Sequence, residues 1–227
     1  MTFHKTPLRA CLLALLLPAS GLTLSIQAAD SKPKSSLGAT LYQSCAQCHG
    51  AKGEGIEATL APRLAGREGW FIKRQLEEFR RRQRGKDESV EKGFLPPPER
   101  TQIMHPVADS LKGSETRALI AYIATLRPEP VGPVRVGDPK RGRELYAACV
   151  SCHGAKAQGS RWHGAPRLTE QADWYLFNQL RDFRMGWRGV ASDNPHVKLM
   201  RRELDRDDKS MRDLTAYIVS LNAPPRK

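Results

Sequence analysis

The sequence predicts an all-α fold of two similar domains, and three observations support this prediction. Residues 45–85 align with residues 149–189 without a gap. Each copy has apolar residues at the spacing of an amphipathic helix, as at Ile72, Leu76 and Phe79. No stretch shows the apolar/polar alternation that is typical of a strand. Such a repeat indicates one structural plan used twice, each time at about 100 residues, an ordinary domain size.

Three main helices are predicted in each copy. The first precedes the repeated segment, and in copy two Asp138 is a good N-cap while Pro139 suits the first helical position. The other two are predicted from apolar residues that share one helical face. The predicted starts of these second and third helices are Trp70 and Ser114 in copy one, and Trp174 and Ser210 in copy two.

The boundary between the copies is predicted in a proline-rich segment. Residues 127–133 contain three prolines and one glycine, which favours a stiff, extended linker. We therefore predict a leader at 1–29, domain one at 30–127, a linker at 128–137 and domain two at 138–227.

The N-terminus has the three-part pattern of a secretory signal peptide. Lys5 and Arg9 give it a positive start, an apolar stretch runs from 12 to 24, and small residues at 28–29 offer a cleavage site. A retained membrane anchor is the alternative, and Pro18 and the shortness of the apolar stretch argue against it. The sequence thus predicts export to the periplasm, as a soluble or peripherally membrane-associated protein.

A cysteine–histidine pentapeptide occurs twice, as Cys45-Ala46-Gln47-Cys48-His49 and as Cys149-Val150-Ser151-Cys152-His153. Cys-x-x-Cys-His is the attachment sequence of c-type haem. The two thiols add to the porphyrin vinyl groups, and the histidine offers a ring nitrogen to the iron as proximal ligand. The sequence therefore predicts two covalent haem c groups. The predicted attachment residues are Cys45, Cys48, Cys149 and Cys152, and the predicted proximal ligands are His49 and His153.

Other uses of the cysteines fit less well. A dithiol redox centre does not need an adjoining histidine, and a structural disulfide within each motif also leaves it unexplained. Paired zinc-binding motifs usually lie about 15–20 residues apart, whereas these lie about a hundred apart. The fifth cysteine, Cys11, is in the leader, so none remains as a catalytic thiol.

Two methionines are the predicted distal ligands. Met104 lies 18 residues before Tyr122, and Met200 lies 17 residues before the matching Tyr217. A thioether in the sixth position closes the site, favours electron transfer and raises the reduction potential. Core packing is the alternative for any methionine, and a histidine ligand would give bis-histidine iron. The other candidates considered are Met185, Met211, His105 and His196. His163 has no counterpart in copy one and is expected to be a surface or cleft histidine.

The chain is basic. It has 37 Lys and Arg against 24 Asp and Glu, a net charge of +13, and removal of the leader leaves +11. Four haem propionates would lower this to roughly +7. The excess predicts a basic face that docks an acidic redox partner or an anionic membrane surface, and a solvated helix face is the alternative. The residues of this basic face are Lys73, Arg74, Arg80, Arg81, Arg82, Arg84 and Lys86.

Together these motifs resemble the dihaem cytochrome c4 type, with two class I cytochrome c domains in tandem. The resemblance covers essentially the whole chain after the leader. It also rests on the Pro-Arg-Leu segments at Pro62 and Pro166 and on the Ala-Tyr-Ile helix that follows each methionine. It implies that the carbonyls of Pro62 and Pro166 accept hydrogen bonds from the proximal histidines, and that the last helix of each domain crosses the first. Copy two departs from copy one at residues 169–170 and 194–200, which puts its distal ligand in question.

The resemblance implies a one-electron carrier between respiratory donors and a terminal oxidase or reductase, and not an enzyme. Two alternatives stay open: an enzyme with one open haem site, and a haem-bearing electron-transfer subunit of a periplasmic dehydrogenase. The expected partners are redox proteins, and an exported haem protein would rarely meet nucleic acid.

Overall fold

Each copy of the repeat folds into a helical domain whose first helix or helices carry the cysteine–histidine motif. The computed structural model describes residues 1–2, 36–84, 98–127, 129–133, 135–204 and 206–222. Among these, extended pairing is limited to isolated bridges, such as Ile56 with Ala61. The all-α prediction is confirmed. The predicted leader, its first two residues apart, lies outside the described residues.

The helices follow one order in both domains. Domain one contains α1 Leu37–His49, α2 Gly69–Arg80, α3 Glu99–Gln102, α4 Met104–Ser110 and α5 Gly113–Ile123. Domain two contains α6 Pro139–Tyr146, a 3-10 turn at Ala147–Cys149, α7 Val150–His153, α8 Asp173–Arg184, α9 Pro195–Arg202 and α10 Asp208–Ser220. The first helix of copy one is thus continuous, whereas its counterpart in copy two is interrupted by the 3-10 turn.

The predicted helix starts are close to the observed ones. Asp138 caps α6 by accepting the backbone N–H of Lys140 at 2.8 Å, with Pro139 in the first turn as predicted. The second and third helices begin one or two residues before the predicted positions. The short helices α3, α4 and α9 were not predicted, because four to eight residues are too few to show a helical period.

The first and last helices of each domain cross at a glycine. A side chain on Gly38 of α1 would stand 2.2 Å from the carbonyl oxygen of Ala118 in α5. On Gly142 of α6 it would stand 1.9 Å from the carbonyl oxygen of Asp213 in α10. Only glycine allows the backbones to approach this closely. The crossing implied by the resemblance is therefore present in both domains.

The predicted apolar faces form two separate cores. The α2 positions Ile72, Leu76 and Phe79 are buried in domain one, and their counterparts in α8 are buried in domain two. Tyr42 packs against Tyr122 in a tilted pair with ring centroids 5.3 Å apart, and the matching tyrosine pair of domain two has the same separation. Each core lies beside its own cysteine–histidine motif, because a half-buried motif cysteine packs against each one.

Both domains belong to a single compact unit, Ser35–Lys227. The segment between them is held by ion pairs: Lys52 lies 2.9 Å from Glu129, and Arg135 lies within 3.1 Å of both Glu57 and Asp173. The domain limits at 30–127 and 138–227 stay a prediction. No helix among the described residues is long and apolar enough to cross a bilayer.

A buried carboxylate joins the first and last helices of domain two. Asp213 accepts the backbone N–H of Asp138 at 2.8 Å and pairs with Lys209 at 2.9 Å. Its side chain is only 3% exposed. The backbone hydrogen bond, together with Lys209 and Arg141, holds the pKa of this carboxyl below its ordinary value.

We expect Asp213→Asn to destabilise the protein at pH 7 by about 2 kcal/mol, since the buried hydrogen bond from Asp138 loses its charge assistance and the ion pairs with Lys209 and Arg141 are lost. Because the folded-state pKa is lowered, this contribution is present above the unfolded pKa of about 3.9 and is lost as pH falls through the folded-state value. Thermal unfolding of both proteins between neutral and acid pH measures it. A stability difference that stays constant down to the lowest pH would contradict this assignment.

Candidate haem sites

The two motif histidines are buried and oriented alike. His49 is 7% exposed and its Nδ1 lies 2.8 Å from the carbonyl oxygen of Pro62. His153 is 3% exposed and its Nδ1 lies 2.9 Å from the carbonyl oxygen of Pro166. A carbonyl only accepts, so Nδ1 carries the proton and donates, and the Nε2 lone pair is left for a metal. The contact implied by the resemblance is confirmed in both domains.

Burial also sets the charge of these rings. It lowers the pKa of His49 and of His153, and the hydrogen bonds to Pro62 and Pro166 only partly oppose this. The rings are therefore neutral at neutral pH, and the neutral imidazole is the form that binds iron. Each domain presents a preformed proximal ligand.

A tyrosine fixes the turn that follows each histidine. The hydroxyl of Tyr42 donates to the carbonyl oxygen of Gly50 at 2.8 Å, and Tyr146 donates to Gly154 at the same distance. Gly50 and Gly154 have φ of 85° and 78°, in the left-handed region that favours glycine. The chain can therefore turn sharply after the histidine and return with the proline carbonyl.

The motif cysteines have the environment of attachment residues. Cys45 and Cys149 are half-buried against the two cores, Cys48 is exposed and Cys152 is half-buried. Burial raises the pKa of Cys45 and Cys149. Reactive redox dithiols need the opposite shift, because the thiolate is the nucleophile. The raised pKa values do not favour the dithiol alternative.

The predicted distal methionines lie on short helices beside the cores. Met104 begins α4 and packs against the core of domain one, and Met200 lies in α9 and packs against the core of domain two. Both are partly buried. Met211 is 0% exposed inside the core, which makes it a packing residue. Met185 follows the last residue of α8.

The described histidines outside the two motifs have other contacts than the two methionines. Nε2 of His105 lies 2.7 Å from the carbonyl oxygen of Arg84, so this nitrogen is already engaged. His196 is exposed at the start of α9, where Asn194 accepts its backbone N–H. His163 pairs through Nδ1 with the hydroxyl of Ser160 at 3.0 Å. These contacts favour Met104 and Met200 as distal ligands, which stay a prediction.

A second cluster, which sequence reasoning missed, joins the two domains. The guanidinium of Arg84 donates to Oε1 of Gln75 at 2.7 Å and to Oε1 of Gln179 at 2.9 Å. Arg188 donates to the same two oxygens at 2.8 and 2.9 Å. Both arginines stack on phenylalanines, at 4.4 Å and 4.6 Å from the ring centroids. The repeat of Gln75 and Arg84 as Gln179 and Arg188 was the available signal. We call these four residues the Arg–Gln cluster.

The two arginines of the Arg–Gln cluster have properties that suit the carboxylates of a haem. Arg84 and Arg188 are 5% and 7% exposed, and their Nε atoms have no hydrogen-bond partner in the described part of the chain. Burial, and then the neighbouring Arg84, lower the pKa of Arg188 to about 10. Two buried cations with unused donors suit carboxylates, and haem c carries two propionates. The interface therefore fits the cofactor that the motifs require.

Most described residues of the predicted basic face have partners within the chain. Arg84 is in the Arg–Gln cluster, Arg80 donates to the carbonyls of Ala108 and Leu111, and Arg82 pairs with Asp109 at 2.7 Å. Arg74 donates to the carbonyl of Gly164 in domain two, and Lys73 lies 3.6 Å from Glu77. Arg81, with a 67% exposed side chain, lies 4.0 Å from the exposed Asp193. Lys86 lies outside the described residues. The continuous cationic docking surface expected from the sequence is thus reduced mainly to Lys73 and Arg81.

Residues 169–170, where copy two differs in sequence from copy one, contact domain one. Arg67 of domain one donates to the carbonyl oxygens of Arg167 at 2.9 Å and Thr169 at 2.7 Å. Glu170, at φ 61°, lies 3.6 Å from Arg67 and 3.0 Å from Arg167. Residues 169–170 therefore bind domain one.

Comparison with known proteins assigns a family to both halves of the chain. The cytochrome c family model matches residues 35–127 and 139–222. Cytochrome c-552 of Acidithiobacillus ferridurans is 27% identical over 92% of this chain and 85% of its own. The thiosulfate dehydrogenase electron acceptor of Stutzerimonas stutzeri is 29% identical, over 74% and 76%. The solved cytochrome c4 of Acidithiobacillus ferrooxidans superposes with a TM-score of 0.61 at 27% identity, covering 78% of this chain and 99% of that one.

Proposed function

The chain belongs to the cytochrome c family and is a dihaem electron-transfer cytochrome with two covalent haem c groups, and from that premise we propose that it is a periplasmic one-electron carrier with two His/Met-ligated haems. Haem c, when bound, supplies an iron that alternates between the ferrous and ferric states. The observation that carries the proposal is the repeated pairing of an oriented, neutral histidine with a methionine-bearing helix in the same domain.

In this proposal each residue has one role. His49 and His153 bind iron through Nε2, and the carbonyls of Pro62 and Pro166 hold the rings and their tautomer. Met104 and Met200 close the sixth positions and raise the potentials. The four motif cysteines anchor the porphyrins. No bond of a substrate is made or broken, so the protein is not an enzyme.

The partners proposed are redox proteins. A respiratory donor or a periplasmic dehydrogenase supplies the electron, and an oxidase or reductase accepts it. The relative named as an electron acceptor of thiosulfate dehydrogenase supports the dehydrogenase as a donor class. The signal-peptide pattern supports the periplasmic location. Since most of the basic face is used internally, Lys73 and Arg81 are the part of it that remains to contact an acidic partner.

The test is the ferric absorption spectrum of the holoprotein. Methionine sulfur bound to ferric haem gives a weak red band, and we expect Met104→Ala and Met200→Ala each to remove about half of it, because each opens one of two sites. Met211→Leu is the matched control, since Met211 is buried in the core of domain two. It should leave the band intact.

Two results would contradict the proposal. A wild-type band that corresponds to one haem or none would mean that at least one iron is bis-histidine or open. Rapid, stoichiometric binding of carbon monoxide to the reduced wild-type protein would show an open site and favour the enzyme alternative. Slow or absent binding is expected for closed sites.

A further inference from the structure

The segment that carries Met104 is attached to domain two as well as to its own domain. Four residues before Met104, the guanidinium of Arg100 in α3 pairs with the carboxylate of Asp182 in α8. The Asp182 side chain is 3% exposed and that of Arg100 is 18% exposed, so the pair is shielded from water. Shielded pairs are screened little by salt, and removing one partner leaves an uncompensated buried charge.

A second attachment lies on the other side of the methionine. The ring of His105 lies 2.7 Å, through Nε2, from the backbone carbonyl oxygen of Arg84. The guanidinium of Arg84 in turn reaches Gln179 in α8 at 2.9 Å. The amide of Gln179 also donates to Asp182 at 3.1 Å. The two attachments therefore converge on one turn of α8, on either side of Met104.

The corresponding segment of domain two lacks this arrangement. The repeat places His196 where domain one has Arg100, counting from the two methionines, and His196 is exposed. Glu78, the counterpart of Asp182, lies 3.6 Å from Arg74 of its own helix. Near Met200, the contacts across the interface are exposed: Asp193 accepts a hydrogen bond from Gln83 at 2.7 Å and lies 4.0 Å from Arg81. No buried ion pair ties α9 to domain one among the described residues.

We propose that Asp182 of domain two is a positioning residue for the distal methionine of domain one, acting through Arg100. It holds α3 and the start of α4 so that the Met104 thioether stays at the iron. The ligation of haem one therefore depends on the contact between the domains, whereas that of haem two does not. This inference rests on the proposed His/Met ligation and identifies what maintains it in one of the two sites.

The test uses the complete ferric holoprotein and imidazole, which binds a haem only when its methionine has left. The apparent affinity rises in proportion to the fraction of open sites. We expect Asp182→Asn to raise the imidazole affinity of haem one about tenfold, while that of haem two changes less than about twofold. Nuclear magnetic resonance shows one methyl resonance for each bound methionine. The resonance that is lost in Met104→Ala belongs to haem one, and the one that is lost in Met200→Ala belongs to haem two. The same two variants assign each imidazole-binding step to its haem.

Two further variants separate positioning from general loosening. Arg100→Gln removes the other partner of the pair and should give the same selective rise, so the inference remains testable if Asp182→Asn does not fold. Asp109→Asn is the matched control. Asp109 lies on the same helix as Met104, and its exposed ion pair with Arg82 is wholly within domain one. The substitution breaks this pair. It should leave both affinities unchanged.

The outcomes distinguish the inference from the function on which it rests. A wild-type protein without a methionine signal for haem one would overturn the His/Met ligation itself. A wild-type signal with unchanged imidazole affinity in Asp182→Asn and Arg100→Gln would overturn only the positioning role. An equal rise at both haems, or an equal rise in Asp109→Asn, would also overturn it, since either result indicates non-selective destabilisation.

Discussion

A variant with Cys149→Ala and Cys152→Ala is expected to carry one covalent haem instead of two and to lose the fold of domain two. The thioether bonds keep the porphyrin in place, and the half-buried Cys149 and Met200 already pack against the core of this domain. A domain of fewer than about 100 residues buries too little apolar surface to stay folded without a large central group such as the haem. The loss is expected to exceed the whole stability margin, which is about 5–15 kcal/mol for a typical domain.

Intact-protein mass spectrometry counts the haems, and hydrogen exchange of α6 and α10 reports the fold of domain two. Ser151→Ala changes one of the two residues between the cysteines and is the matched control. It should retain both haems and remain within about 0.5 kcal/mol of the wild type. Native-like protection of α6 and α10 in a protein with one haem would show that the polypeptide core of domain two is sufficient by itself.

Gly142→Ala is expected to destabilise domain two by about 3 kcal/mol or more, since the new methyl would overlap the carbonyl oxygen of Asp213 and force the crossing helices apart. Gly38→Ala should act similarly in domain one, against the carbonyl of Ala118. For a folded unit of this size, such a loss lowers the thermal midpoint by roughly 6–12 °C. Thermal unfolding followed by circular dichroism measures it.

Gly113→Ala is the control for these glycines. It is also a helical glycine, but the nearest atom to an added methyl would be the flexible end of Arg117, 3.8 Å away. Its stability should be unchanged or higher, within about 1 kcal/mol, because alanine is the better helix former. A similar loss in all three variants would show that the cost comes from backbone conformation rather than from the helix crossing.

The main helices were predictable from sequence because each buries one apolar face, and a face of three turns leaves a clear period at Ile72, Leu76 and Phe79. The short helices α4 and α9 leave no such period. The 3-10 turn between α6 and α7 was also missed, and nothing in the structure explains why copy two is interrupted there and copy one is not.

The proximal half of each site was predictable because its residues are close in sequence: a histidine and a proline carbonyl 13 residues later. The contacts between the domains were not predictable, because a repeat indicates that two domains have the same fold but not which of their surfaces are in contact. The arginines at 80–84 illustrate the difference. Their charge suggested a solvent-facing surface, yet the structure places Arg84 in the buried interface and uses Arg80 to satisfy backbone carbonyls.

The Arg–Gln cluster is symmetric: each copy contributes one glutamine and one arginine, and each arginine reaches its own glutamine and that of the other copy. A self-complementary surface of this kind is what two identical chains use to form a twofold dimer. Joining the copies in one polypeptide makes the association intramolecular, so it no longer depends on protein concentration. The two domains therefore stay paired at any dilution, although the copies differ in sequence, as at Arg100 and His196.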